Sequence, residues 1–112
     1  MPHLAYPDLL YVEPVQDGLL VKLRTMFLDE HDVRDLEPEL YALSYERGGP
    51  HLYLDLAEVE DLPEPVIGQL AYLGRRLQAV GDRLILLNLR PHVYAALRAH
   101  PEADGLVLHG AA

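Results

Sequence analysis

The sequence predicts an α/β domain: a mixed β-sheet of four to five strands with three or four helices, in the order β-β-α-β-α-β-α-β. Asp17-Gly18 lies between two apolar runs and is typical of a β-hairpin turn. The apolar stretch 52–59 predicts a strand covered on both faces, and the segment after it has apolar residues at helical spacing. Strands and helices then alternate, which favours parallel strands joined by right-handed crossovers.

Taken in order, the strands are expected at Leu9–Val15, Leu19–Thr25, 52–57, Arg83–Leu87 and Leu106–Leu108. Pro14 cannot donate to a ladder, so the first strand is expected at an edge of the sheet. Helices are expected near 30–46, 65–79 and 91–99. Pro38 interrupts the first of them, which is either one kinked segment, the interpretation we prefer, or a short turn followed by a helix that begins at Pro38. The whole chain, 1–112, is expected to form a single domain, with 1–8 as a loose lead-in.

The second helix is the best defined of the three. Its buried stripe is expected to be Val66, Leu70, Leu73 and Leu77, and Gly81 is placed to end it. The turn that leads into it, 60–65, follows the carboxyl end of a buried strand, where ligands and partners of open α/β sheets usually bind.

Composition excludes several classes of function. The formal charge of −9 and the lack of a basic stripe argue against nucleic acid and against direct insertion into anionic membranes. The absence of cysteine removes disulfides and thiol chemistry and is compatible with a cytoplasmic location. Thr25 and Ser44 are the only aliphatic hydroxyls, so few positions can carry a phosphate or act as a serine nucleophile.

Three segments of the sequence resemble a known family: LDLAEV at 54–59, GQL at 68–70 and RRLQAVGDRLILLN at 75–88. Their order and spacing are similar to those of the STAS domain, the family of anti-sigma factor antagonists and of sulfate-transporter cytoplasmic domains. FLDEHDV at 27–33 also resembles the capped start of that family's first helix. The resemblance implies a STAS-like fold and a protein partner of the anti-sigma factor or kinase-like class.

The chain departs from the family at the regulatory loop. Where STAS antagonists have DSSGLG, residues 63–68 read PEPVIG, and the position of the phosphoacceptor serine falls on Pro65. Proline has no hydroxyl, so regulation by serine phosphorylation of this loop is not expected. Glu64 is open to two interpretations: a fixed charge that partly imitates phosphoserine, or a residue favoured only by the helix dipole.

Other chemistry finds little support. The six histidines show no metal-ligand spacing, and the acidic cluster 29–32 is explained as well by a helix cap as by a metal, so no metal or cofactor is expected. Ser44 has no nucleophile-elbow sequence around it, and Gly48-Gly49 is not in a phosphate-loop context. The acidic run 55–64 is either a solvated face or a docking surface for a basic partner.

We therefore expect a non-enzymatic regulatory domain that binds a protein partner. The alternatives are an accessory STAS subunit of a membrane transporter and a module that binds a nucleotide or another small molecule. Tyr72 is the candidate hot spot, because tyrosine is favoured at the centre of interfaces. The expected contact residues are Asp61, Leu62, Glu64, Pro65, Val66, Gln69, Tyr72, Arg76, Asn88 and Arg90.

Overall fold

A computed structural model describes residues 10–28, 30–47 and 51–110. Its elements are β1 (Leu10–Val15), β2 (Gly18–Leu23), α1 (Glu30–Arg47), β3 (His51–Asp55), α2 (Glu64–Ala79), β4 (Arg83–Leu89), α3 (Pro91–Ala99), a 3-10 helix (Pro101–Gly105) and β5 (Val107–Gly110). The predicted order of strands and helices is confirmed. The predicted lead-in 1–8, Asp29 of the acidic cluster 29–32 and residues 48–50, which include Gly48-Gly49, lie outside the described residues.

The strands form one five-stranded sheet in the order β1-β2-β3-β4-β5. β1 pairs with β2 antiparallel, through the predicted hairpin turn, and every later pair is parallel. β1, which contains Pro14, is at an edge as expected, and β3 is the central strand. The register between β4 and β5 shifts between Leu86 and Leu89.

The helices form where the apolar stripes predict them. α1 is one segment that continues through Pro38, so the alternative of a helix that begins at this proline is wrong. In α2 the predicted stripe is buried, each of its four residues being at most 1% exposed. Gly81 has φ +87 and its N–H donates to the carbonyl of Gln78, which ends α2 as predicted.

The core lies on one face of the sheet. Leu19, Val21 and Leu23 of β2 alternate along the strand and are buried together with the leucines of α1 and α2. Consecutive strands are also neighbours in the sheet, so right-handed crossovers place α1, α2 and α3 on this same face. The prediction that β3 is covered on both faces is therefore wrong for the described part of the chain, because Tyr53 on the other face lies outside the core cluster and is half-buried only.

Candidate protein-interaction surface

Three loops meet at the carboxyl end of the parallel strands. The loop after β2 is joined to the loop after β3 through the N–H of Glu60, which donates to the carbonyl of Met26 at 2.8 Å. A parallel bridge joins Phe27 to Asp61 in the same two loops. The imidazole Nε2 of His92, in the first turn of α3, contacts the carbonyl oxygen of Glu60. The loop that carries the predicted contacts is thus held on one side by backbone bonds and on the other by the His92 side chain.

A polar network fixes the end of β4 against this loop. Asn88 has φ 56, a left-handed conformation that asparagine tolerates better than most residues, and its Nδ2 donates to Asp55 Oδ2 at 3.0 Å. The second carboxylate oxygen of Asp55 accepts from the N–H of Ala57 at 2.9 Å. Arg90 donates from Nε to the carbonyl of Ala57 at 3.1 Å and lies 3.9 Å from a carboxylate oxygen of Glu60. Asn88 and Arg90 therefore belong to the predicted surface, and their hydrogen bonds also shape it.

The start of α2 offers three exposed side chains to this surface, those of Asp61, Glu64 and Pro65. Leu62 and Val66, also predicted as contacts, are 4% and 0% exposed. This corrects the predicted set, because both side chains pack inward against the sheet and are closed to a partner.

Farther along α2, the predicted contact residues differ in how far their side chains are exposed or already bound within the chain. Tyr72 is 51% exposed, whereas Gln69 is only half-buried and has a side-chain oxygen without a partner among the described residues. Arg76 is engaged within the chain: its guanidinium donates to both oxygens of Glu37 at 2.7 and 3.0 Å and lies 3.9 Å from the ring centroid of Tyr41. Hydrogen bonding to Glu37 raises the pKa of Arg76.

Arg76 is also far from the loops. It is twelve residues beyond Glu64, which places it roughly 18 Å along the helix axis. The structure thus groups Asp61, Glu64, Pro65, Asn88 and Arg90 at the carboxyl end of the sheet and places Arg76 in the contact between α1 and α2.

Sequence reasoning missed two apolar side chains at the same end. Met26 and Phe27, between β2 and α1, are 50% and 67% exposed. The Thr25 hydroxyl donates to the carbonyl of Phe27 at 2.9 Å and accepts from its N–H at 3.3 Å, so the loop is held locally. The signal was present, since Phe27 is the only phenylalanine in the chain and follows the end of a predicted strand.

Acidic residues lie at the same end of the sheet as this apolar pair, and Asp61 is bridged to Phe27. Asp61 and Glu64 are exposed, and Glu58 is exposed although it lies 3.6 Å from Lys22. Glu64 lies 3.6 Å from His100 Nε2, beside an open cleft of about 350 Å³ that Gly68 and Glu102 also line. The surface therefore combines exposed apolar side chains with carboxylates, of which that of Asp61 is adjacent to Phe27.

The described parts of the chain meet neither the requirements of a metal site nor those of a membrane-spanning helix. Within 10–28, 30–47 and 51–110, no group of three or more histidine, aspartate or glutamate side chains is placed to hold a metal ion. Across those same ranges, none of the helices combines the length and the apolar character that a membrane span needs.

Sequence comparison identifies no relative, whereas structural comparison finds many. No protein-family profile matches the chain, and no curated protein sequence is similar to it. The solution structure of TM1081 from Thermotoga maritima matches with a TM-score of 0.73 at 17% identity, over 99% of this chain and 85% of that one. TM1081 is described as an anti-sigma factor antagonist.

Two further solved structures show the range of proteins that share this fold. The unphosphorylated form of SpoIIAA, a Bacillus cell-fate determinant and anti-sigma factor antagonist, matches with a TM-score of 0.68 at 18% identity, over 92% of this chain and 89% of that one. The murine anion transporter Slc26a9 matches with a TM-score of 0.70 at 16% identity, over 89% of this chain and 17% of the transporter. With an antiparallel first hairpin, three parallel crossovers and these structural neighbours, the chain has the STAS-domain fold.

Proposed function

We propose that the chain is a non-enzymatic, cytoplasmic regulatory domain that binds a protein partner in the manner of an anti-sigma factor antagonist. The observation that carries this proposal is the exposed pair Met26 and Phe27, held beside the acidic loop by backbone bonds. Large apolar side chains exposed within a polar rim are typical of protein interfaces. The likeness to solved antagonists supports the class of function.

The proposed partner is an anti-sigma factor or a kinase-like protein with an apolar pocket and basic residues around it. Phe27 is the proposed anchor, and the carboxylates of Asp61 and Glu64 steer a basic partner toward it. Asn88 and Arg90 complete the surface from the neighbouring loop. Because residues 55–75 contain no serine or threonine, this loop cannot be switched by serine phosphorylation.

A transport function is the second candidate. The likeness to Slc26a9 covers most of this chain but only 17% of the transporter, which is compatible with a separate subunit that docks on a permease. The identity of the captured protein discriminates the two functions.

Affinity capture from the native host with three immobilised proteins tests the proposal. The parent and Tyr45→Asp, a control on the 71% exposed Tyr45 of α1, are expected to retain one anti-sigma or kinase-like protein. Phe27→Asp is expected to lose it, with an affinity for the purified partner at least ~10-fold weaker. Capture of a permease instead would favour the second candidate, and equal capture by all three proteins would contradict both the surface and its anchor.

A substitution of Tyr72 tests how far the proposed interface extends along α2. If the outer side of this helix joins the contact, Tyr72→Ala weakens binding by over ~1 kcal/mol while the melting temperature hardly changes. Unchanged binding in calorimetric titration would restrict the interface to the carboxyl-end loops. A large loss of melting temperature would show that Tyr72, whose ring lies 5.8 Å from the Arg76 guanidinium, serves packing instead.

A further inference from the structure

The sheet has a second face, opposite α1, α2 and α3, which we call the open face. Its centre is a row of four side chains that the strand register places side by side: Leu20, Tyr53, Ile85 and Val107. None of the four belongs to the core cluster, and Ile85, at 8% exposed, is shielded without any of the described helices over it. Parallel strands are normally covered on both faces, and within 10–28, 30–47 and 51–110 no helix forms a second layer over this apolar row.

Acidic and basic side chains on the open face follow a regular pattern about this central row. Asp17, in the turn before β2, precedes the row and Lys22 of β2 follows it; along β3, His51 precedes the row and Asp55 follows it. The hydroxyl of Tyr53 donates to Asp17 Oδ2 at 2.8 Å, which holds this carboxylate over the face. The order of acid and base is thus reversed between the two neighbouring strands.

We propose that the open face binds a second copy of this chain. In this homodimer the strands of the two sheets run antiparallel, and the two-fold axis lies along the central row. Tyr53 then stacks on Tyr53 of the other copy. Lys22 of each copy faces Asp17 of the other, and His51 of each copy faces Asp55 of the other. A two-fold contact must be complementary to itself, and the acidic and basic side chains on opposite sides of the row meet this condition on each of the two strands.

The overall charge also favours a second copy over an unrelated protein. The open face and its rim carry four carboxylates, those of Glu13, Asp17, Asp55 and Glu58, and three cationic groups, those of Lys22, Arg24 and Arg83, so their sum is close to neutral. The whole chain has a formal charge of −9, and most contacts between two copies would be repulsive. The open face is a surface on which two such acidic chains can meet without that penalty.

The size of the open face sets the expected strength. Five strands spaced ~4.8 Å apart, with about five residues of ~3.3 Å each, give a footprint of roughly 400 Å² per copy. The two copies together bury less than the ~1,200–2,000 Å² of a standard stable interface. The dimer is therefore weak and reversible, with a Kd of about 0.1 mM as an order of magnitude.

Sedimentation of the purified chain from about 10 μM to about 1 mM, a range centred on that Kd, tests the dimer. The parent is expected to shift from monomer to dimer across this range. Leu20→Asp is expected to weaken association at least 10-fold, because it places a charge in the central row, while Tyr45→Asp on the opposite side of the molecule leaves association unchanged. A parent that stays monomeric at the highest concentration, or a Leu20→Asp protein that associates as the parent does, would overturn the proposal.

A charge exchange tests the relative orientation of the two copies. Lys22→Glu alone sets like charges against each other twice in the dimer, so association falls. The double variant Asp17→Lys with Lys22→Glu restores opposite charges across the interface, although it abolishes the bond from Tyr53 within each chain. Recovery of association in the double variant supports the antiparallel arrangement, and association no stronger than that of Lys22→Glu contradicts it. Thermal unfolding confirms that each variant is folded.

Discussion

The contact between α1 and α2 offers the sharpest test of how this fold is held together. Glu37 is 7% exposed, and both of its carboxylate oxygens accept hydrogen bonds from Arg76 Nη1, at 2.7 and 3.0 Å. The guanidinium also stacks 3.9 Å from the ring centroid of Tyr41. Arg76→Met retains much of the aliphatic volume but leaves the carboxylate of Glu37 in the interior without its cation.

The expected cost follows from burial. Removing one partner of a fully buried pair destabilises by about 3–5 kcal/mol, because the remaining charge is uncompensated. The Arg76 side chain is 34% exposed, so water reaches part of the pair and lowers the cost. We expect a loss of about 2–3 kcal/mol in the free energy of unfolding. For a domain of this size that corresponds to a melting temperature lower by roughly 8–12 °C.

A double-mutant cycle measured by urea unfolding isolates the pair. Arg76→Met, Glu37→Met and the double variant are compared with Arg75→Met, a control on the exposed neighbouring arginine. The double variant is expected to be less destabilised than the sum of the two single variants, by about 1–2 kcal/mol, because both charges are gone. A coupling below ~0.5 kcal/mol, or an Arg75→Met protein as unstable as Arg76→Met, would refute the assignment of this pair as the link between the helices.

Two further predictions follow from single contacts. Leu70→Ala is expected to lower the free energy of unfolding by roughly 2–5 kcal/mol through the cavity that it leaves, since Leu70 is 1% exposed. If chemical denaturation shows no loss, the packing of α2 on the sheet is wrong. The hydrogen bond that Tyr53 donates to Asp17 raises the pKa of Tyr53, so the stability due to this bond is complete below the ordinary tyrosine pKa and is lost as the pH rises through the raised value. Asp17→Asn is expected to lower the pKa of Tyr53 in an NMR titration, and an unchanged value would mean that the bond is absent in solution.

Local periodicity is sufficient to predict most of this fold. The stripe of α2 and the Asp-Gly turn are encoded within a few residues, and Gly81 lies where a left-handed residue ends the helix. The covering of β3 is different, because it depends on what lies beyond the strand. Tyr53 and Leu52 are both bulky, so the sequence suggests two covered faces, yet Leu52 is buried in the core and Tyr53 lies outside the core cluster.

The candidate surface was predicted in part, for a related reason. Asp61 and Glu64 follow the end of β3 and Asn88 lies in the last residues of β4, and strand ends that share an edge bring their loops together. The Arg76–Glu37 pair joins residues 39 positions apart, and no local pattern reports it. Val66 was assigned both to the buried stripe and to the surface. Only the packing decides between these roles: Val66 is 0% exposed and belongs to the buried stripe.

The two prolines at 63 and 65 also change the physics of the loop at the start of α2. Pro63 precedes the helix with φ −60 and ψ 151, and its carbonyl accepts from the N–H groups of Val66 and Ile67 at 3.0 and 3.2 Å. No side chain caps this end, so the first turn depends on backbone bonds and on the fixed φ of Pro63 and Pro65.

Each proline in a compatible conformation also stabilises the fold by about 0.4–1 kcal/mol, because it restricts the unfolded chain. A loop with a phosphoacceptor serine alternates between an unmodified and a phosphorylated form, which differ in charge. This loop has no such serine and keeps one form, in which Asp61 and Glu64 are the exposed charged side chains. We therefore expect binding at this surface to be set by the concentrations of the two proteins and by their affinity, without modification of the loop. On that argument, Pro65→Ser alone adds a hydroxyl but leaves Pro63 and the hydrogen bonds to its carbonyl in place, so it is expected to leave partner affinity within about threefold of the parent in calorimetric titration.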